Sequence, residues 1–259
     1  MKNKYPIILV HGVIIKDFKF FKAFGRIEKV LKENDFNVFT AKIDGLGTIE
    51  DNAKQLKDYI DTILKQENAD KVNLIAHSKG GLDSKYMIEE LEMNNKVASL
   101  TALCTPYKGS PIASWLLKLP MRIKKFIAFW LNFWYRIFGD EKPDALTVCD
   151  QLKRVNNIED EVLKFDDKVY CQSYSTTISK MRDDFIMSIP LTFSRFSEKI
   201  PTDGLVPEES TKIGEYKGPA IDDQISHTQI VDFMVNKKKK EKIYKFYLDI
   251  VNDLSSKGF

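Results

Sequence analysis

Apolar and polar positions alternate between two periods in the first part of the chain. Tyr5 to Val10 is a short, almost wholly apolar run, the pattern of a strand covered on both faces. Asp17 to Lys32 carries Phe18, Phe21, Phe24, Ile27 and Leu31 on one face and predicts an amphipathic helix. Asn37 to Ala41 reads as a second strand. Ile49 to Gln66 reads as a second helix, with Leu56, Tyr59, Ile60 and Ile63 inward. Val72 to Ala76 predicts a third strand, Gly81 to Glu92 lies in a third helix, and Val97 to Leu103 is a fourth strand. Continuous apolar strands joined by helices predict an α/β fold with a mostly parallel central sheet flanked by helices.

After Thr105 the pattern changes. Residues 111–140 hold all three tryptophans, Trp115, Trp130 and Trp134. Lys168 to Ser173 resumes as a strand, and residues 175–200 look irregular. The chain ends in a helix with Ile243, Phe246, Tyr247, Ile250 and Leu254 on its buried face, and Lys237 to Lys240 read as its solvated start. A length of 259 residues suits one α/β domain with a well-buried core. A net charge of +3 does not point to nucleic acid as a partner. Cys104, Cys149 and Cys171 match neither a zinc spacing nor a disulfide framework and are expected to be reduced. The apolar run after Met1 to Lys4 is too short for a secretory signal. A cytoplasmic protein and a secreted one whose signal has been removed both fit.

The chemistry is concentrated where the third strand meets its helix. Ala76-His77-Ser78-Lys79-Gly80, between an apolar strand and a helix, is a nucleophile elbow. The serine of such a turn is strained, and small residues two before and two after it keep the neighbouring backbone clear. The turn lifts the Ser78 hydroxyl off the sheet and sets the Lys79 N–H at a helix N-terminus, where backbone donors point outward. The first strand ends at His11-Gly12, and the loop beyond offers a second backbone donor, best assigned to Val13. Val13 and Lys79 are thus the expected oxyanion donors. Of three histidines, His11 lies too early in the chain order of this fold and His77 adjoins the nucleophile, pointing away from it. His227 remains as the general base. Asp203, in an Asp-Gly turn, is the chosen orienting acid; Asp222 and Asp223 are alternatives, and Asp183 and Asp184 lie further from the pattern.

The chain resembles the bacterial triacylglycerol lipases of the α/β-hydrolase superfamily. The shared stretches are Pro6 to Gly12, Lys71 to Tyr86, Thr105-Pro106 with Gly109-Ser110, and Asp203 to Val206. The resemblance implies an α/β-hydrolase fold and ester hydrolysis by a Ser78, Asp203 and His227 triad with Val13 and Lys79 as oxyanion donors. The chain also departs from the family. Ile14-Ile15 follows where glycine is common, and Tyr107 stands where histidine is usual. Many relatives bind structural calcium through an acid two residues after the catalytic histidine, but that place holds Gln229. No histidine is left for the zinc that some relatives bind. No cofactor or metal is expected to be required.

Phe126 to Phe138 is broken only by Asn132 and Arg136, and a cationic stretch, Met121 to Lys125, precedes it. It is too short to cross a bilayer, which takes about 18 apolar residues or more. An insertion after the fourth strand lies over the nucleophile in this fold, so residues 111–140 are expected to form a helical lid. Trp130 and Trp134 would line an acyl pocket, and the cationic, aromatic character suits contact with a lipid–water interface. A packed cap helix without motion is the other reading. The function expected is a carboxylester hydrolase acting on acyl esters of lipids. A thioesterase or acyltransferase with the same triad, and a non-catalytic lipid-binding relative, are the alternatives.

Overall fold

The computed structural model describes residues 3–13, 17, 21–153, 165–179, 201–221 and 224–259. Its centre is a six-stranded sheet in the order β2-β1-β3-β4-β5-β6. The strands are β1 (Ile7–Val10), β2 (Val38–Thr40), β3 (Val72–His77), β4 (Val97–Leu103), β5 (Tyr170–Ser175) and β6 (Glu215–Pro219). Every pairing is parallel. The helices are α1 (Ile27–Glu33), α2 (Ile49–Glu67), α3 (Lys79–Glu90), α4 (Pro111–Leu117), α5 (Met121–Ile137), α6 (Ala145–Gln151) and α7 (Lys237–Ser256).

The unbroken apolar runs of the strands follow from burial on both faces. Ile8, Val10, Leu74 and Ala76 pack in one core with Leu56, Ile60 and Ile63 of α2 and Met87 and Ile88 of α3. Ile7, Leu9 and Ile75 point the other way, into a core with Ile27 and Leu31 of α1 and Ile243, Tyr247, Ile250 and Leu254 of α7. Local chemistry sets the helix starts. The Thr48 hydroxyl accepts the Asp51 N–H to open α2, and the Asn236 side chain accepts the Lys239 N–H to open α7.

Two expectations change. The helix expected from Asp17 begins only at Ile27, because residues 23–26 form turns and Gly25 takes a φ of +48°. A side chain at Gly25 would also meet Asp232, 2.6 Å from its carboxylate. Phe24 is still buried in the core, so the periodic face is real while the helix is shorter. Phe18 lies outside the described residues. The second change is β6, whose Glu-Tyr-Lys-Gly-Pro sequence has no strand signature. It is the edge of the sheet, with neighbouring residues alternating between exposed and half-buried, and an edge position tolerates its proline.

The loop from β2 to α2 is clasped to the segment after α5 by two buried carboxylates. Asp44 Oδ2 accepts the N–H groups of Glu141 and Lys142, both at 2.9 Å. Asp140 Oδ2 accepts the Leu46 N–H at 2.8 Å, and the Asp144 N–H donates to the Leu46 carbonyl at 2.7 Å. The three cysteines are free, with Cys104 and Cys171 buried. No helix among the described residues is long and apolar enough to cross a membrane.

Candidate active site

The carboxyl ends of β3, β4 and β5 converge on one corner. There Ser78 sits between β3 and α3 at φ +55° and ψ −131°, a strained backbone for a residue with a side chain. Two glycines make room for this turn. A Cβ on Gly12 would lie 2.7 Å from Ser78 Cβ and 2.9 Å from the Lys79 nitrogen. A Cβ on Gly80 would lie 2.5 Å from the His11 carbonyl oxygen. The end of β1 and the elbow therefore touch backbone to backbone.

Ser78 Oγ lies 2.8 Å from His227 Nε2, and His227 Nδ1 lies 2.6 Å from Asp203 Oδ2. With Ser78 donating to Nε2, the ring keeps its proton on Nδ1 and donates it to the carboxylate. The other oxygen of Asp203 accepts the N–H groups of Leu205 at 2.9 Å and Val206 at 2.8 Å. The tight Asp-Gly turn, with Gly204 at φ +109°, makes this possible. The His227 N–H also donates to the Asp203 carbonyl at 3.0 Å, so acid and base are joined through backbone as well as side chains. Asp203 and His227 are both buried, whereas Ser78 is half-buried.

This serine–histidine–aspartate chain on a parallel α/β sheet can be compared with known proteins. Triacylglycerol lipase 2 of Saccharomyces cerevisiae is 28% identical over 262 residues, covering 90% of this chain and 73% of the yeast protein. Staphylococcus hyicus lipase superimposes with a TM-score of 0.69 at 14% identity, covering 98% of this chain and 96% of that one. The chain has the α/β-hydrolase fold and is similar in sequence to triacylglycerol lipases. A triacylglycerol lipase of Pseudarthrobacter phenanthrenivorans is 35% identical over 121 residues, 44% of this chain but 37% of the bacterial enzyme. Residues 18–119 match the sequence profile of the lecithin:cholesterol acyltransferase family.

Within this lipase-related fold, two further side chains support the corner. His77 is more than a neighbour of the nucleophile. Its Nε2–H donates to the His227 carbonyl at 2.9 Å, and the two rings lie 4.6 Å apart. Burial first, and then the adjacent His227, hold its pKa well below the ordinary histidine range, so it acts as a neutral donor that fixes the loop carrying the base. Sequence reasoning missed this role, because nothing in local spacing says what a turn residue meets 150 positions away. His11 is buried, and its Nδ1–H donates to the Gly12 carbonyl at 3.0 Å, steadying the loop that touches Ser78.

Lys79 contributes more than an N–H. Its ammonium is wholly buried and donates to Asp83 one helical turn on, at 2.7 Å. Asn52 donates to the other Asp83 oxygen at 3.0 Å and to the Asp44 carbonyl at 2.8 Å. The elbow is thereby tied to the loop that clasps the segment after α5. Burial pushes the Asp83 carboxyl up, against the pull of the Lys79 ammonium.

The remaining expected site residues are less closely engaged. The Val13 side chain is exposed, and its backbone follows the Gly12 contact. Trp130 and Trp134 are 44% and 50% exposed and sit in a ladder of edge-on rings with Phe126, Phe129 and Phe133. The α5 residues that line an apolar cavity against α4 and α6 are Lys124, Ile127, Ala128 and Leu131. The ring contacts of the two tryptophans among the described residues are with aromatic residues of α5 and with Phe138. The helix is amphipathic, but the apolar face that its sequence marks is broader than the strip that meets α4 and α6. Ile14, Ile15, Asp183, Asp184, Asp222 and Asp223 lie outside the described residues.

Proposed function

We propose that the protein is a serine carboxylester hydrolase that cleaves acyl esters of lipids. The observation that carries this reading is the unbroken hydrogen-bonded chain from Asp203 through His227 to Ser78 at a strained elbow. Ser78 Oγ attacks the ester carbonyl while His227 Nε2 takes its proton, and Asp203 steadies the imidazolium. The oxyanion accepts hydrogen bonds from the N–H groups of Lys79 and Val13. Collapse expels the alcohol, which leaves with the proton from His227. Water, deprotonated by the same ring, then releases the acid and restores Ser78.

The names of the relatives support lipid esters as the substrate class. So does α5, which bears exposed Phe126, Phe129, Trp130, Phe133 and Trp134, has Arg122, Lys124, Lys125 and Arg136, and lacks any acidic residue. Such a helix suits a lipid–water interface. No calcium is required in this reading, because the loop after His227 does not fit that ion. The Gln229 amide oxygen, at the place of the expected acid, accepts from the Lys239 ammonium at 3.2 Å, and the same ammonium donates to the Gln224 carbonyl. A lysine charge where a hard cation would sit opposes its binding.

The match to an acyltransferase profile favours a second reading, in which an alcohol rather than water receives the acyl group. One experiment separates these readings. A fluorophosphonate probe should label the wild type and not Ser78→Ala. A panel of nitrophenyl esters and acyl-CoAs of graded length, run with and without a long-chain alcohol, should release free acid from esters at the same rate in both conditions. No labelling and no turnover would leave only a lipid-binding relative, and product formed solely in the presence of alcohol would make it a transferase.

A further inference from the structure

Cys104 follows β4 and lies beside the triad without belonging to it. It holds a φ of +53°, in the region that favours glycine. Its Sγ, a carboxylate oxygen of Asp203 and a ring nitrogen of His227 all lie within 4.8 Å of one another, and all three residues are buried. Its partner is the Thr176 hydroxyl at 3.3 Å. The Tyr247 hydroxyl is also fully buried and has no hydrogen-bond partner among the described residues.

A thiolate, an imidazole and a carboxylate make the donor set that zinc takes, with one position left for a water or hydroxyl oxygen. Bond lengths of about 2.0–2.3 Å put the ligand atoms of a tetrahedral site about 3.3–3.7 Å apart. Reaching that spacing takes an opening of the 2.6 Å contact between Asp203 and His227 and an adjustment of the Cys104 sulfur. We propose that Cys104, Asp203 and His227 form an inhibitory site for a zinc-class transition metal ion. The protons balance simply. The Cys104 thiol releases its proton to solvent, and the imidazole proton moves from Nδ1 to Nε2. The metal is then held by a thiolate, a carboxylate and a neutral ring. Nε2 has become a donor and can no longer take the Ser78 proton. Burial adds a kinetic signature. Cys104 and Asp203 are each 1% exposed and His227 is 5% exposed, so the ion must wait for the imidazole to turn, and inhibition sets in slowly.

The binding half of this inference stands whatever reaction the triad performs; only the inhibition rests on the hydrolase reading. The test uses the full-length chain freed of metal by dialysis against a chelator. Cobalt(II) should give a thiolate-to-metal absorption band in the wild type that is missing in Cys104→Ser and Cys104→Ala, although Cys149 and Cys171 remain in both. Zinc should slowly silence nitrophenyl-ester hydrolysis in the wild type, reversibly on adding chelator. In each variant, measured against its own zinc-free rate, the half-inhibitory zinc concentration should rise about tenfold or more. Unchanged zinc sensitivity and an unchanged cobalt spectrum in both variants would overturn the site. Absence of fluorophosphonate labelling in the metal-free wild type would instead sink the hydrolase reading, and the cobalt band would still decide the metal site.

Discussion

At the Ser78 corner, Lys79, Asp83, Asp203, His77 and His227 are polar or charged and buried. On α5, phenylalanines and tryptophans are apolar and exposed, and only Ala128 of the helix is buried. Each region breaks the ordinary pairing of polarity with burial, in opposite directions. The corner can do so because its groups are matched: the ammonium by a carboxylate, the carboxylates by N–H groups, each imidazole by an acceptor. An unmatched buried polar group costs about 1–3 kcal/mol, and a buried charge more. The face of α5 has no such constraint, since exposed apolar surface adds little to folding and is informative mainly as a contact surface. Damage to the corner should therefore appear in chemistry and stability, and damage to the face in behaviour at an interface.

The largest effect expected is in the triad. Ser78→Ala or His227→Ala should lower kcat on a soluble nitrophenyl ester by roughly a million-fold, and Asp203→Asn by roughly ten-thousand-fold. Thermal unfolding should confirm that each variant is folded. A folded Ser78→Ala enzyme with the wild-type rate would remove the chemical half of the contrast.

Next comes the buried ion pair. Lys79→Met strands the Asp83 carboxylate, and urea denaturation near pH 8 should show a loss of about 3–5 kcal/mol. Combining Lys79→Met with Asp83→Leu removes both charges and should recover most of it. The pH dependence sharpens this. Burial raises the Asp83 pKa to about 6 in the folded chain, above its unfolded value of 3.8. The folded state then binds the proton more readily, so this group's stabilising contribution is full below the unfolded value and is lost as pH rises through the folded one. Without Lys79 the carboxyl has lost its cation, and the penalty should shrink steadily as pH falls. A Lys79→Met protein as stable as the wild type at pH 8 would mean that buried charge at this corner needs no match.

The smallest effect on stability is expected at the face. Trp130→Ala and Trp134→Ala should each change unfolding free energy by within about 0.5 kcal/mol, as exposed substitutions do. Together they should reduce turnover of an emulsified ester while sparing a soluble one. Strong destabilisation, or equal loss on both substrates, would make α5 a packed cap rather than a contact surface.

The two regions were also unequally legible in the sequence. An elbow is a local device, so Ala76, Ser78 and Gly80 announce it within five residues. His227 could be reached by elimination because the chain has few histidines. Asp203 rested on turn chemistry that other acids share, and only the folded chain puts its carboxylate on His227 Nδ1. Long-range relations left no trace. The His77 bond to the His227 carbonyl, the path from Lys79 to Asn52 and the approach of Cys104 to Asp203 are products of topology. Strand β6 was hidden because an edge strand is half-solvated and can be written in polar residues. Apolar content marked α5 as unusual but did not say which part of its broad apolar face meets α4 and α6.

The carboxylate clasp gives α5 unequal ends. After its C-terminus, Asp44 and Asp140 hold three backbone N–H groups from inside the protein. Near its N-terminus, the Lys124 ammonium reaches the Leu117 carbonyl across a turn at 2.8 Å, a bond within reach of solvent. Between these ends the helix is fixed to α6, where Asn132 Oδ1 accepts the Ala145 N–H at 2.8 Å and Ala128 packs with Ala145 and Val148. At 17 residues, it is about 25 Å long. The loop that holds its C-terminal end is the one that Asn52 ties, through Asp83, to the Lys79 side chain, so the helix and the nucleophile turn share a single mounting.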